Sequence, residues 1–159
     1  MKPEPGDVIL YPVSGRSALS SKIVAIGEML FGVGGKTQYS HAAVYAMKGH
    51  EWEARWPSVG VHPIDTGRDY EIRRFPGYTQ AQRGQVLKWF YVHEGDLYDL
   101  VALVTFGLVE LPHAEVCSEA VDRALRSAGI KPNREGKRLL SPDALADFAS
   151  ILVERYTAP

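Results

Sequence analysis

At 159 residues the chain has room for one domain with a substantial core and too little for two. Its composition, 45% hydrophobic and 23% charged with a formal net charge of -1, offers nucleic acid no general electrostatic attraction. The single cysteine excludes an internal disulfide and a CxxC metal knuckle, so the fold has to stand on packing.

The opening "MKPEPGDVILYPV" lacks the apolar core of a signal peptide. Within it, "GDVILYPV" (6–13) reads as a short apolar strand entered through a Pro/Gly turn. In "SALSSKIVAIGEMLF" (17–31), Leu19, Ile23, Ile26 and Leu30 recur at helical spacing, which predicts an amphipathic helix running into the Gly-rich loop "GVGGKTQ". Four short segments follow, 41–47, 50–56, 59–64 and 70–75, separated by turn residues and expected to form a β-meander. The remainder is expected to be helical. "TQAQRGQVLKWFYVHEG" opens with a capping box from Thr79 to Gln82, and helices over 98–110 and 117–128 come next. "LVALVTFGLV" (100–109) is too short to span a bilayer and is expected as a buried helix, so no transmembrane segment is predicted. "SPDALADFASILVER" (141–155) starts with Ser as cap and Pro in the first turn. A block of strands followed by a block of helices predicts a single α+β domain over 1–159.

Two motifs fail on inspection. "GVGGKT" lacks the first glycine of a phosphate-binding loop, because that position is Leu30, and a helix rather than a strand precedes it. "PHAEVC" groups His113, Glu115 and Cys117 but lacks the Pro-Cys-x-x-Cys pair of zinc deaminases. The five histidines, 41, 50, 62, 93 and 113, form no strong ligand motif, so neither a metal site nor a cofactor is expected.

Cys117 stands where a loop becomes a helix. Ala120, Val121, Ala124, Leu125 and Ala128 form an apolar stripe and Gly129 supplies a C-terminal stop, which puts Cys117 in or beside the first turn. A helix N-terminus favours thiolate and offers backbone N–H groups to an oxyanion; the alternative is a small packed side chain. His41 begins the strand "SHAAVYAM", where small neighbours leave room above an imidazole that acts as a base or simply bonds a carbonyl. Across the tight Lys48–Gly49 turn, Glu51 and Glu53 share one strand face with Trp52 on the other. Either glutamate is a candidate to orient the imidazole. A flat hairpin sets Glu53 nearer Val44 or Tyr45 than His41, so twist or a bulge has to close the gap.

In order along the chain, "GDVILY", "SHAAVYAMKGHEWEA", "LYDL" and "VCSEAVDRALRSAGI" resemble the signatures of the permuted papain-like cysteine hydrolases of the NlpC superfamily, in particular its YiiX-like branch. The resemblance spans roughly 6–145. It implies a circularly permuted papain-like fold, an antiparallel meander sheet packed with helices. It also implies Cys117 as nucleophile, His41 as base and Glu53 as the orienting third member, cleaving amide, ester or thioester bonds.

The expected function is therefore a thiol hydrolase acting on a peptide, a peptidoglycan fragment or an acylated small substrate through an acyl-enzyme. Ser40 and Ser118, next to His41 and Cys117, join Tyr11 as oxyanion or substrate-binding candidates. Arg16, Lys22 and Lys36 could meet a substrate carboxylate or remain solvated, and Trp52 and Trp56 could wall the cleft or enter the core. A lipid acyltransferase or thioesterase, with the acyl chain near Phe106, would use the same residues. A non-catalytic ligand-binding protein or phage virion component is the reading from another class. Many relatives are exported, and without a visible signal peptide the expectation here is a cytoplasmic or phage-associated protein.

Overall fold

The computed structural model describes residues 1–13, 38–98, 114–115, 117–131 and 142–159. The expected 17–31 helix, nearly all of the Gly-rich loop, and 99–110 of the expected 98–110 helix lie outside these. So do Arg16, Lys22, Lys36, Phe106 and His113.

The strands are β1 (Val8–Pro12), β2 (Tyr39–Met47), β3 (His50–Arg55), β4 (Ser58–Pro63), β5 (Tyr70–Arg74), β6 (Leu97–Tyr98), β7 (Ala114–Glu115) and β8 (Ile151–Tyr156). The helices are α1 (Gln80–Val92), α2 (Cys117–Ser127) and α3 (Pro142–Phe148). Among the described residues the strands join in one sheet of order β7-β6-β4-β3-β2-β1-β5-β8. Every pairing is antiparallel except β6 with β7. The architecture is α+β.

Four expectations need correction. The meander holds for β2, β3 and β4, but β5 crosses to the far side of β1 and pairs there, with Ile9 opposite Ile72. Each strand carries the same alternation wherever it sits, so the pattern does not say which free edge a strand will take. The C-terminal helix stops at Phe148, and "ILVERY" is a strand along β5. Here Val153 is buried while Leu152 is 44% exposed, the two-residue alternation of an edge strand. Trp56, a core candidate from sequence, is 67% exposed. Tyr98, expected to open a helix, lies in β6.

The sheet has two apolar faces. On one, Val8, Leu10, Val44, Trp52 and Ala54 pack with Val86 and Phe90 of α1 and Ala120, Val121, Ala124 and Leu125 of α2. Trp52 stacks on Phe90 with ring centroids 6.0 Å apart. On the other, Ile9, Tyr11, Ala43, Tyr70, Ile72 and Val153 form a second cluster.

Helix ends follow their sequence signals. Thr79 caps α1 through the Gln82 N–H while the Gln82 side chain returns to the Thr79 N–H at 3.0 Å. Helix α2 closes with Ile130 N–H to Leu125 carbonyl and Gly129 N–H to Arg126 carbonyl, both at 3.0 Å, and Gly129 takes φ +75. This double bond to the last turn needs a left-handed residue, which glycine supplies without strain. Thr79→Ala is expected to lower stability by about 1 kcal/mol, read as a shift of the urea midpoint at unchanged slope.

A buried ionic knot anchors the first strand. Asp7, fully buried, accepts from Arg74 Nε at 2.9 Å and Nη2 at 2.8 Å, from Arg83 Nη1 at 2.8 Å, and from the Glu4 N–H at 2.9 Å. It ties β1 to the end of β5 and to α1. Burial alone pushes its carboxyl up, but the two guanidinium groups and the Glu4 N–H hold it below the usual range.

Candidate active site

The β2–β3 hairpin turns at Lys48 and Gly49, where Gly49 takes φ +72. Tyr45 lies opposite Glu51 and Met47 opposite His50, so β2 carries one extra residue between these pairs. That bulge shifts the register by one. Continued from Val44 opposite Trp52, it sets Glu53 level with Ala43, one same-face step from His41. The gap a flat hairpin would leave is thereby closed. His41 Nε2 lies 2.7 Å from Glu53 Oε2.

Cys117 reaches the same imidazole from α2. Since Nε2 serves Glu53, the other ring nitrogen, Nδ1, is left for the thiol, with which His41 is hydrogen-bonded. The backbone explains how a helix gets this close to a sheet interior. Tyr45 gives its N–H to Asp7 on the β1 side at 2.8 Å. N–H directions alternate along a strand, so Ala42 points its N–H toward β3. The β2–β3 ladder ends at Val44 opposite Trp52, which leaves the Ala42 N–H for Cys117 Sγ. The Ser118 N–H donates to the sulfur as well. The start of α2 thus enters where β2 and β3 part.

The electrostatics run in one direction. Burial pushes the Cys117 thiol up, but the charge of His41, its hydrogen bond and the two backbone donors together bring it below the ordinary thiol value. Burial pulls His41 down, and the facing sulfur and the Glu53 carboxylate reverse this to about 10. Glu53 feels burial as an upward push, overcome by His41 and then Arg55, so its carboxyl stays below the usual value. Arg55 Nη1 sits 3.0 Å from Glu53 Oε1 as an ion pair, without the alignment of a hydrogen bond. The arrangement is a thiol, an imidazole, a carboxyl and a guanidinium in sequence, each with its charged form favoured by the next. Cys117 is 4% exposed and the His41 side chain 14%, so the charges meet in a largely dry site.

The other candidates lie nearby in different roles. Tyr11, opposite His41 in the β1–β2 ladder, is buried with its ring centroid 5.5 Å from the imidazole. Its hydroxyl donates to Glu51 Oε1 at 2.6 Å, which commits that proton to a carboxyl oxygen rather than to an oxyanion. Glu51, the alternative third member, is therefore partnered by Tyr11 while His41 takes Glu53. Ser40 donates to the Tyr11 carbonyl at 3.5 Å, and Ser118 meets the sulfur through its backbone N–H. Trp52 belongs to the core with α1, on the face away from Glu51 and Glu53. Two contributors were not singled out in the sequence, Arg55 and the Ala42 N–H. Arg55 had a signal, since it follows Glu53 by two and shares its face. The Ala42 amide had none, because ladder endings leave no mark in composition.

Among the described residues no three His, Cys, Asp or Glu side chains are grouped to hold a metal ion, and no helix is long and apolar enough to cross a membrane.

No family model matches the chain, and no curated protein matches it. Among solved structures it is similar to the metalloprotein YiiX from Escherichia coli O157:H7, DUF1105, with a TM-score of 0.60 and 19% identity, over 100% of this chain and 91% of that one. At this identity the likeness is one of fold, and the fold of this chain is YiiX-like.

Proposed function

We propose that the protein is a thiol hydrolase of the permuted papain-like, NlpC-type class, cleaving an amide bond through Cys117, His41 and Glu53. One observation carries this reading: the sole cysteine, at the first residue of a helix, is hydrogen-bonded to an imidazole whose other nitrogen lies 2.7 Å from a buried carboxylate. A packed structural cysteine needs none of these partners. The Cys117 thiolate attacks the acyl carbon and forms a C–S bond. The carbon–nitrogen bond breaks as the His41 imidazolium gives its proton to the departing amine. Neutral His41 then takes a proton from water, whose oxygen attacks the thioester, and the acid leaves with the thiolate restored. Glu53 keeps the ring oriented and favours its charged form, and Arg55 keeps Glu53 ionised. YiiX is described as a metalloprotein; the reading proposed for this chain rests on its Cys117, His41 and Glu53 arrangement.

The experiment is to incubate the protein with peptide amides, including cell-wall-type peptides, and with acyl thioesters, and to follow its intact mass. An acyl adduct on Cys117, absent from Cys117→Ala, together with a released amine is the expected result. Adduct formation from the thioesters alone would move the substrate class to acyl lipids. Ligand retained without an adduct, equally in Cys117→Ala, would overturn hydrolysis in favour of binding.

A further inference from the structure

Beside the thiol–imidazole–carboxylate row stands a second carboxyl that the mechanism does not use. Glu51 is 1% exposed, and its Oε2 is buried with no hydrogen-bond partner among the described residues. Its Oε1 is held by the Tyr11 hydroxyl at 2.6 Å, and the Tyr11 ring is the one that lies 5.5 Å from the His41 ring. Glu53 has both His41 and Arg55 within 3.0 Å, whereas the partner of Glu51 at hydrogen-bond distance is a neutral phenol.

We propose that Glu51 is a positioning residue: a proton-bearing carboxyl that pins Tyr11 against the His41 ring and, by holding or releasing its proton next to Glu53, sets the negative charge met by the His41–Cys117 pair. This rests on that pair being the reacting one.

The surroundings of Glu51 favour a neutral acid that ionises within reach of neutrality. Tyr45 lies opposite it on β2 and His62 opposite it on β4. His62 is held below its usual value by burial and then by Arg55, which keeps it uncharged in the same range. From β5, Tyr70 packs edge-on against the Tyr11 ring at 6.1 Å. In the segment before β5, the Asp65 N–H lies 3.4 Å from the Tyr11 hydroxyl, and the Arg68 guanidinium sits 4.7 Å above its ring. Burial raises the Glu51 carboxyl and the Glu53 charge adds to this, while Tyr11, His41 and Arg55 oppose them, leaving it at about 7. Once ionised, Glu51 adds negative charge that tightens the proton on His41, so the imidazolium that favours the thiolate is held more firmly.

The test is the rate of Cys117 alkylation by iodoacetamide against pH, paired with infrared difference spectra of the neutral carboxylic C=O stretch, in the native chain, Glu51→Gln and Tyr11→Phe. Glutamine keeps the shape and the acceptor for Tyr11. The native protein is expected to show a neutral-acid band that vanishes near neutrality, with an inflection of about threefold in alkylation rate over the same interval. Glu51→Gln should lack both and retain the lower thiol inflection. Tyr11→Phe, which removes a donor to the ionised form, should move both to higher pH. Identical spectra and rate profiles in native protein and Glu51→Gln would overturn the proposal. So would a Glu51 band that titrates with no change in alkylation. An ordinary thiol profile in the native protein is a different failure: it removes the reacting pair itself, and the role of Glu51 with it.

Discussion

The His41→Ala variant is expected to lose hydrolysis by about a thousandfold or more, since it lacks both the acid for the leaving group and the base for water. The same substitution should leave Cys117 buried without its charge partner, so that desolvation raises the thiol above its ordinary value. Alkylation at about pH 6 should then slow roughly tenfold, a smaller loss than the change in thiolate fraction because a more basic sulfur is a better nucleophile. Glu53→Gln should fall between native and His41→Ala: the ring keeps a hydrogen-bonding neighbour, but His41 loses the carboxylate charge that helps raise it to about 10. Stopped-flow alkylation of the three proteins against pH measures all of this. A His41→Ala profile that overlays the native one would dismiss the thiol–imidazole pair.

Asp7→Ala is expected to cost about 3–5 kcal/mol, a large share of the total stability of an ordinary domain. Removing the carboxylate leaves the Arg74 and Arg83 side chains, 13% and 3% exposed, with the half-exposed Glu4 carboxylate, 3.1 and 3.5 Å away, in place of the buried anion that compensates their burial. The loss exceeds what any single contact would suggest, because one carboxylate serves two guanidinium groups and the Glu4 N–H. Since the folded-state value of Asp7 lies below its unfolded value, its contribution is complete above the unfolded value near 3.8 and disappears as pH falls through the folded one. The gap between native and Asp7→Ala should thus be full at neutral pH and narrow in acid. Urea unfolding at several pH values checks both size and direction. A gap that is independent of pH would mean that Asp7 acts through shape alone.

Much of this molecule can be read from local signals where a local signal decides. The Thr79 capping box, the Gly129 stop and the Lys48–Gly49 turn each determine their own few residues, and each element forms where expected. Cys117, His41 and the pair Glu51 and Glu53 stood out as candidates because helix phase and strand alternation fix which residues share a face, and the resemblance, not the pattern, pointed to Glu53. What stayed hidden depends on distant partners. Ile151, Leu152 and Val153 form a short apolar run without distinctive period, and the free edge of β5, some eighty residues earlier in the chain, makes it a strand. The choice between Glu51 and Glu53 turned on a bulge of one residue, invisible in composition. The weight on Asp7 comes from arginines on β5 and α1 that no spacing rule links to it. The permuted papain-like assignment and the hydrolase chemistry rest on the resemblance and the site geometry, while the solved neighbour speaks to the YiiX-like fold.

The Ala42 amide gives the central strand a stake in the state of the sulfur. Its N–H favours the charged sulfur from the place where a neighbouring strand's carbonyl would otherwise be expected. A thiolate is a strong acceptor and a capped sulfur a weak one, so any adduct on Cys117 changes what the Ala42 N–H meets in the middle of the sheet. The amide is thus a built-in reporter: its deuterium exchange and chemical shift should follow occupancy of the thiol without a label or a chromogenic substrate.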